Sequence, residues 1–183
     1  MRVDIDIPNA SVDKLARQLV VLVDTREQEN AHITNYLEKH NVPCIVRKLN
    51  QGDYSAILKA NPDLGLPFDI SLEKEIAIER KGSGGNGLSE IAGNFTSGRQ
   101  AFENEFIRAS KSVKNFYLVI ENGSWDGISK HQYRSDMNPK ALYNSLISWR
   151  KKYGFHIDFV ESENTAEHIL KLLSVTLKKM LEG

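Results

Sequence analysis

Cys44 is the only cysteine in 183 residues, which excludes an internal disulfide and any cysteine-built zinc cluster. A thiol buried in the core is its expected role. No window approaches the roughly 18 consecutive apolar residues of a membrane helix. The opening MRVDIDIPNA carries acidic residues where a secretory leader would carry an apolar run. These absences point to an intracellular, cytoplasmic protein of bacterial, archaeal or viral origin with no membrane partner. Charge of one sign is also lacking: 24 lysines and arginines balance 24 aspartates and glutamates. A generic nucleic-acid coat would be basic, so the distribution of charge matters more than its total. There is no internal repeat and no low-complexity tract beyond one short glycine-rich stretch. Nothing marks a second domain, and the length suits one domain, residues 1–183, with a sizeable core.

The apolar residues that are present fall into strand and helix patterns. VDIDI alternates as a short strand would, Pro8 and Asn9 suggest a turn, and SVDKLARQ reads as a helical turn from Ser11. LVVLV, 19–23, is a continuous apolar run suited to a buried strand. Residues 30–40 read as a helix, with Ile33, Tyr36 and Leu37 on one face and Pro43 beyond its end. Strands are expected over 44–49, from Tyr54 to Ala60 and over 73–81, with a surface loop at 61–71. One or two helices follow over LSEIAGNF and RQAFENEFIRAS, then a strand at 116–120 and a turn at ENGSWDG. A helix over 140–154 capped by Gly154, a strand at 155–160 and a helix from Asn164 or Thr165 to about Leu181 complete the chain. Strands and helices intermixed in this order predict an α/β fold, a mixed open sheet flanked by helices.

EKEIAIERK, 73–81, organises the rest. The strand period of two puts Ile76, Ile78 and Arg80 on one side and Ala77, Glu79 and Lys81 on the other. An edge strand with ordinary surface charges would look the same. GSGGNG follows, with four glycines in six residues, and reads as a mobile loop at the mouth of a cleft. Three further signals sit at strand ends: Asp24, Arg26 and Glu27 in VDTRE, and Asp53 in QGDY. Phosphodiester hydrolysis needs a divalent cation on oxygen ligands, an activated water and stabilisation of phosphate charge. Asp53 and Glu79 can supply ligand oxygens to Mg2+ or Mn2+. Lys81 can stand beside the water or a phosphate oxygen. Asp24 is either an additional ligand or an orienting group, and Arg26 and Arg80 can hold phosphates or internal carboxylates. The neutral total charge is compatible, since bound metal restores positive charge where ligand carboxylates gather.

VDTRE, GDY, IERK and LSEIAGNFTSGRQAFENEF together resemble the nuclease domain of the XPF/MUS81 family, the ERCC4-type domain, whose signature is GD…ERK-x-x-x-D. The similarity runs on through YLVIENG and, more weakly, SLISWRKKYGFHIDFVESENTAEHILKLL, over about residues 19–178. The resemblance implies a restriction-endonuclease-like core and a Mg2+- or Mn2+-dependent endonuclease that cuts DNA near flap, fork or branch junctions in repair and recombination. By resemblance Asp53, Glu79 and Lys81 match the central catalytic residues, and Asp24, Arg26, Glu27 and Arg80 match further active-site positions. Arg99, in the stretch Gly98-Arg99-Gln100, would contact a phosphate or be solvated.

This sequence departs from the pattern at Gly85, where the family carries an aspartate; Ser89 and Glu90 are the nearest match to the family's serine–aspartate pair, with the glycines as an insertion. The family's tandem helix-hairpin-helix module is also missing after the final helix, so cleavage would rely on this domain alone or on an accessory DNA-binding protein. Two alternatives stay open: a catalytically silent, DNA-binding partner subunit, and a restriction or general DNA-degrading nuclease. No histidine is expected to bind metal, and Trp125 and Tyr133 would pack or stack on bases. The last helix has a wide apolar surface, with Leu170 and Leu181 flanking the stripe of Ile169, Leu172, Leu173, Thr176, Leu177 and Met180. With Leu142, Leu146, Ile147 and Trp149 it predicts a homodimer through the C-terminal half.

Overall fold

The computed structural model describes residues 9–182. VDIDI and Pro8 lie outside the described residues. The elements are α1 (Asn9–Ala16), β1 (Leu19–Val23), α2 (Ala31–Lys39), β2 (Cys44–Val46), β3 (Tyr54–Leu58), β4 (Ile70–Ser71), β5 (Ile76–Lys81), α3 (Gly87–Thr96), α4 (Arg99–Ser112), β6 (Asn115–Glu121), α5 (Trp125–Ser129), α6 (Pro139–Tyr153), β7 (His156–Val160) and α7 (Thr165–Glu182). They build a seven-stranded sheet in the order β2-β1-β3-β5-β6-β7, with β4 paired to β3. β1 with β2, β5 with β6 and β6 with β7 are parallel. The β1–β3, β3–β4 and β3–β5 pairs are antiparallel. The α/β class and the mixed central sheet flanked by helices are as expected.

Each face of the sheet carries its own core. Val21, Val23, Ile76 and Ile78 pack with α1, α2 and α7 through Leu15, Ile33, Leu37, Ile169, Leu173 and Leu177. Ala77, Leu118 and Ile120 pack on the other face with α3, α4 and α6 through Ile91, Phe102, Phe106, Leu146 and Trp149. The expected edge-strand alternative for 73–81 fails here. β5 lies in the middle of the sheet with all six residues buried.

Several local expectations are corrected. The strand expected over 44–49 is three residues long, and Cys44 is exposed, because β2 is an edge strand with no helix over it. The surface loop at 61–71 contains a 3-10 turn at Pro62–Leu64, the buried Leu66 and β4. The turn at ENGSWDG holds α5, capped by the Ser124 hydroxyl accepting from Gly127 N–H. Trp125 packs edge-on to Tyr143 and Phe159, and Tyr133 donates to the Met137 carbonyl, so both serve packing. On α7, Leu170, Leu172, Met180 and Leu181 pack partly buried against the core shared with α1 and α2, while Val175 stays exposed.

The topology gathers polar residues at one end of the sheet. β1 ends at Val23, opposite Tyr54 at the start of β3, so Asp24 and Asp53 are neighbours and Asp24 N–H donates to the Asp53 carbonyl at 2.8 Å. β5 runs toward the same end, and β6, parallel to it, brings Glu121 there. Open α/β sheets place ligand sites beyond the carboxyl ends of their strands. Gly52 makes the entry to β3 possible. Its φ is +68°, and a Cβ there would stand 2.8 Å from the Ile78 carbonyl oxygen. Gly52→Ala is therefore expected to lower unfolding free energy by about 1–3 kcal/mol. A urea titration checks this, and an unchanged midpoint would contradict it.

Candidate active site

Strand alternation in β5 separates the charges of the ERK run. Glu79 and Lys81 project to the α4 side, and Lys81 Nζ donates to Glu79 Oε1 at 2.6 Å with its ammonium 5.4 Å from the centre of the Phe102 ring. Both residues are 8% exposed. Asp53 is fixed beside them through its backbone and side chain: its N–H donates to the Ile78 carbonyl at 2.7 Å, and its Oδ2 accepts from Arg80 N–H at 2.8 Å. Asp53 and Glu79 line a cleft of about 160 Å³ together with Arg26, Glu105, Arg108 and Phe116.

Arg80 points to the opposite side of the sheet. Its Nε donates to Glu27 Oε1 at 2.6 Å, Nη1 to Glu121 Oε2 at 3.0 Å and Nη2 to the Glu29 carbonyl at 3.0 Å. His32 Nε2 meets Glu121 Oε1 at 2.8 Å, and Tyr54 OH donates to Glu27 Oε1 at 3.3 Å. The structure thus does not bring Glu27 and Arg80 to the cleft with Asp53 and Glu79. They form a buried ion network that ties the start of α2 to the ends of β5 and β6. An ion pair this deep is stable only with its partners well matched, and each of the three guanidinium nitrogens donates a hydrogen bond here. Gly82 is close-packed against this network, since a Cβ there would stand 2.6 Å from Arg80 Nη1.

Asp24 is fully buried, and both its oxygens are engaged. Oδ1 accepts from Arg26 N–H at 2.9 Å and Arg26 Nε at 2.6 Å, and Oδ2 accepts from Leu49 N–H at 2.6 Å. Of the two roles left open by the sequence, this geometry fits the orienting one: Asp24 aims the exposed Arg26 guanidinium into the cleft. Glu90 Oε2 accepts from Gly82 N–H and Ser83 N–H, each at 2.9 Å, and Oε1 lies 3.5 Å from Lys81 Nζ. Gly84 N–H donates to Glu29 and Asn122 Nδ2 to the Gly85 carbonyl. The glycine stretch, expected to be a mobile loop, is instead a 3-10 turn held at each of these points. Arg99 is exposed, with its guanidinium 5.4 Å from the Phe95 ring centre and 5.1 Å from that of Trp149.

Glu105, Arg108, Glu121 and His32 were missed in the sequence. For Glu105 a signal existed: Phe102, Glu105, Phe106 and Ala109 share one helical face at i, i+3, i+4 and i+7, so a carboxylate stands on an apolar stripe. Glu121 and His32 had none, since only the fold places them near Arg80.

The cleft gathers three carboxylates, Asp53, Glu79 and Glu105, beside Arg26, Arg108 and the Lys81 that pairs with Glu79. Burial and the neighbouring Glu79 charge hold the Asp53 carboxyl well above its usual range. The same two causes push Glu105 up to about 7. Burial opposes the Lys81 charge, but Glu79, Glu90, Asp53 and Glu105 outweigh it and keep the ammonium protonated. Among the described residues no three His, Cys, Asp or Glu side chains are grouped so as to hold an ion by themselves. Mg2+ commonly takes one or two carboxylates and fills its shell with water and substrate phosphate. The hard oxygens of Asp53 and Glu79, side by side in the cleft, fit that ion.

A family model for the ERCC4 domain matches residues 23–173. No curated protein matches the chain. Among solved structures, the chain is similar to XPF from Aeropyrum pernix, with 21% identity and a TM-score of 0.61, over 86% of this chain and 61% of that one. XPF from Aeropyrum pernix in complex with DNA aligns at 21% identity and a TM-score of 0.60, over 87% of this chain and 66% of that one. The chain therefore spans less than two thirds of the XPF chain in either structure, and the likeness is one of fold, a mixed sheet flanked by helices consistent with a restriction-endonuclease-like core. With the family match covering the strands that carry Asp53, Glu79 and Lys81, the chain belongs to the ERCC4 domain family.

Proposed function

We propose that this chain hydrolyses DNA phosphodiester bonds with Mg2+ or Mn2+, near junctions of duplex and single strand. The observation that carries the reading is the cleft itself: Asp53 and Glu79 line it together at the sheet end, with Lys81 held on Glu79 at 2.6 Å. Asp53 and Glu79 are the residues that hold the cation, which supplies Lewis acidity toward the phosphate and lowers the pKa of water. Lys81 keeps its proton, spends one N–H on Glu79 and turns the others toward phosphate oxygens, where charge develops in the transition state. Glu90 holds the backbone beyond Lys81, so the ammonium stays at one depth. Arg26, aimed by Asp24, and Arg108 offer guanidinium donors for flanking phosphates at the cleft rim. Arg99, exposed over Phe95 and Trp149, is a further phosphate contact.

DNA as the substrate is supported by family membership and by the related XPF structure in complex with DNA. Retention of both carboxylates and the lysine favours an active subunit over a silent partner. Asp53→Asn keeps the acceptor for Arg80 N–H and removes the charge, and Glu79→Gln keeps a partner for Lys81. Each is expected to abolish Mg2+-dependent cleavage of a 5′-labelled flap, and Lys81→Ala to slow it by about 100-fold or more. Near-parental turnover by Asp53→Asn or Glu79→Gln would sink the assignment. Flaps, forks and four-way junctions are expected to be cut faster than plain duplex of the same sequence, and equal rates would favour the general DNA-degrading reading.

Pairing of two copies through the C-terminal half, with or without an accessory DNA-binding protein, would widen the DNA surface. Tyr143 on α6 and Val175 on α7, each 44% exposed, are apolar contacts open to a partner in that half. Sedimentation equilibrium at micromolar concentration is expected to give a species of twice 20.7 kDa, and a single 20.7 kDa species would exclude the homodimer.

A further inference from the structure

Glu105 enters the cleft from α4, opposite the strand that carries Glu79. Its Oε2 is the one buried side-chain polar atom among the described residues with no hydrogen-bond partner. Phe102 and Phe106, on the same helical face, are buried in the adjoining core, so the carboxylate stands at the border between apolar packing and the cleft. Glu105 as a whole is half-buried, and a shielded carboxylate oxygen left unmatched is costly unless something outside the chain completes it. The arginines that also line the cleft, Arg26 and Arg108, leave this oxygen unmatched. Glu90 is unable to do the same work, because its Oε2 is committed to the Gly82 and Ser83 amides and its Oε1 faces Lys81.

We propose that Glu105 is a third carboxylate of the cation site, its free oxygen accepting hydrogen bonds from water on the ion held by Asp53 and Glu79. The inference rests on the reading of the cleft as a cation site and adds a residue that the ERK and GD motifs do not contain. Contact through water fits the spacing, since no three acidic side chains here close on a single point. It also fits Mg2+ and Mn2+, which retain part of their hydration in protein sites. Groups that hold a ligand of the ion in this way commonly contribute 10- to 100-fold, roughly, to metal affinity.

The test is Mn2+ binding to the full chain by calorimetry, without DNA, together with the melting temperature in the absence of divalent cation. Glu105→Gln is expected to weaken Mn2+ binding by about tenfold or more, while melting no lower than the parent, because no hydrogen bond to Oε2 is lost. Glu105→Met, apolar and of similar length, is expected to behave alike and to melt higher. Parental Mn2+ affinity in Glu105→Gln, alongside loss of binding in Asp53→Asn, would overturn the role of Glu105 and leave the site standing. A lowered melting temperature in both Glu105 variants would make the residue structural and overturn the proposal. A parent chain that binds no Mn2+ would overturn the cation site and this inference together.

Discussion

The period of two along β5 is the constraint on which the rest of the structure depends. Three consecutive charged residues, Glu79, Arg80 and Lys81, lie in the middle of a sheet that is covered on both faces. Because successive side chains alternate, no arrangement of this strand lets all three share an environment. The fold answers with two polar centres back to back. One is closed, around Arg80; the other is open, around Glu79 and Lys81, with the carboxylates of Asp53 and Glu105 beside it. A one-residue slip in register would exchange them and bury the wrong set. The hydrogen bond from Arg80 N–H to Asp53 Oδ2 links β3 to β5 at the point where the two centres divide.

The closed centre explains how a chain of neutral total charge tolerates so many ionised groups near its core. The Arg80 guanidinium is met by Glu27, Glu121 and a carbonyl, and His32 completes Glu121. Such a network is costly to bury and costly to break, so its value lies in position. It draws the loop after β1, the end of β6 and the glycine turn against the end of β5. The open centre inherits that rigidity. Asp24 aims Arg26, Glu90 holds the turn after Lys81, and neither oxygen of Asp24 is left to spare.

Much of this was legible in the sequence where a single element determines the outcome. The apolar run 19–23, the alternation in 76–81 and the cap at Gly154, whose φ is 71°, each follow from local chemistry and stand as read. The grouping of Asp53, Glu79 and Lys81 was readable because all three sit at strand ends. Cys44 was misread because burial of a strand depends on what covers it, and β2 lies at an uncovered edge. The glycine stretch was misread because its composition is permissive while its amides are pinned by Glu90 and Glu29, partners eight and fifty-five residues away. The sequence does not say that α1 and α2 pack on α7, so how much of its apolar width the subunit itself covers is legible only in the fold. Glu105 carried a readable signal, a charge on an apolar helical stripe, but its meaning depends on the cleft that β5 and α4 enclose.

The central claim is that Asp53 and Glu79 hold a divalent cation at the end of the sheet. Anomalous scattering from crystals soaked in Mn2+ tests it most directly. The account predicts a peak between the carboxylates of Asp53 and Glu79, on the α4 side of β5, with Arg80 and Glu27 unchanged behind it. A peak on the Arg80 side of the sheet, or an empty cleft at saturating Mn2+, would contradict it.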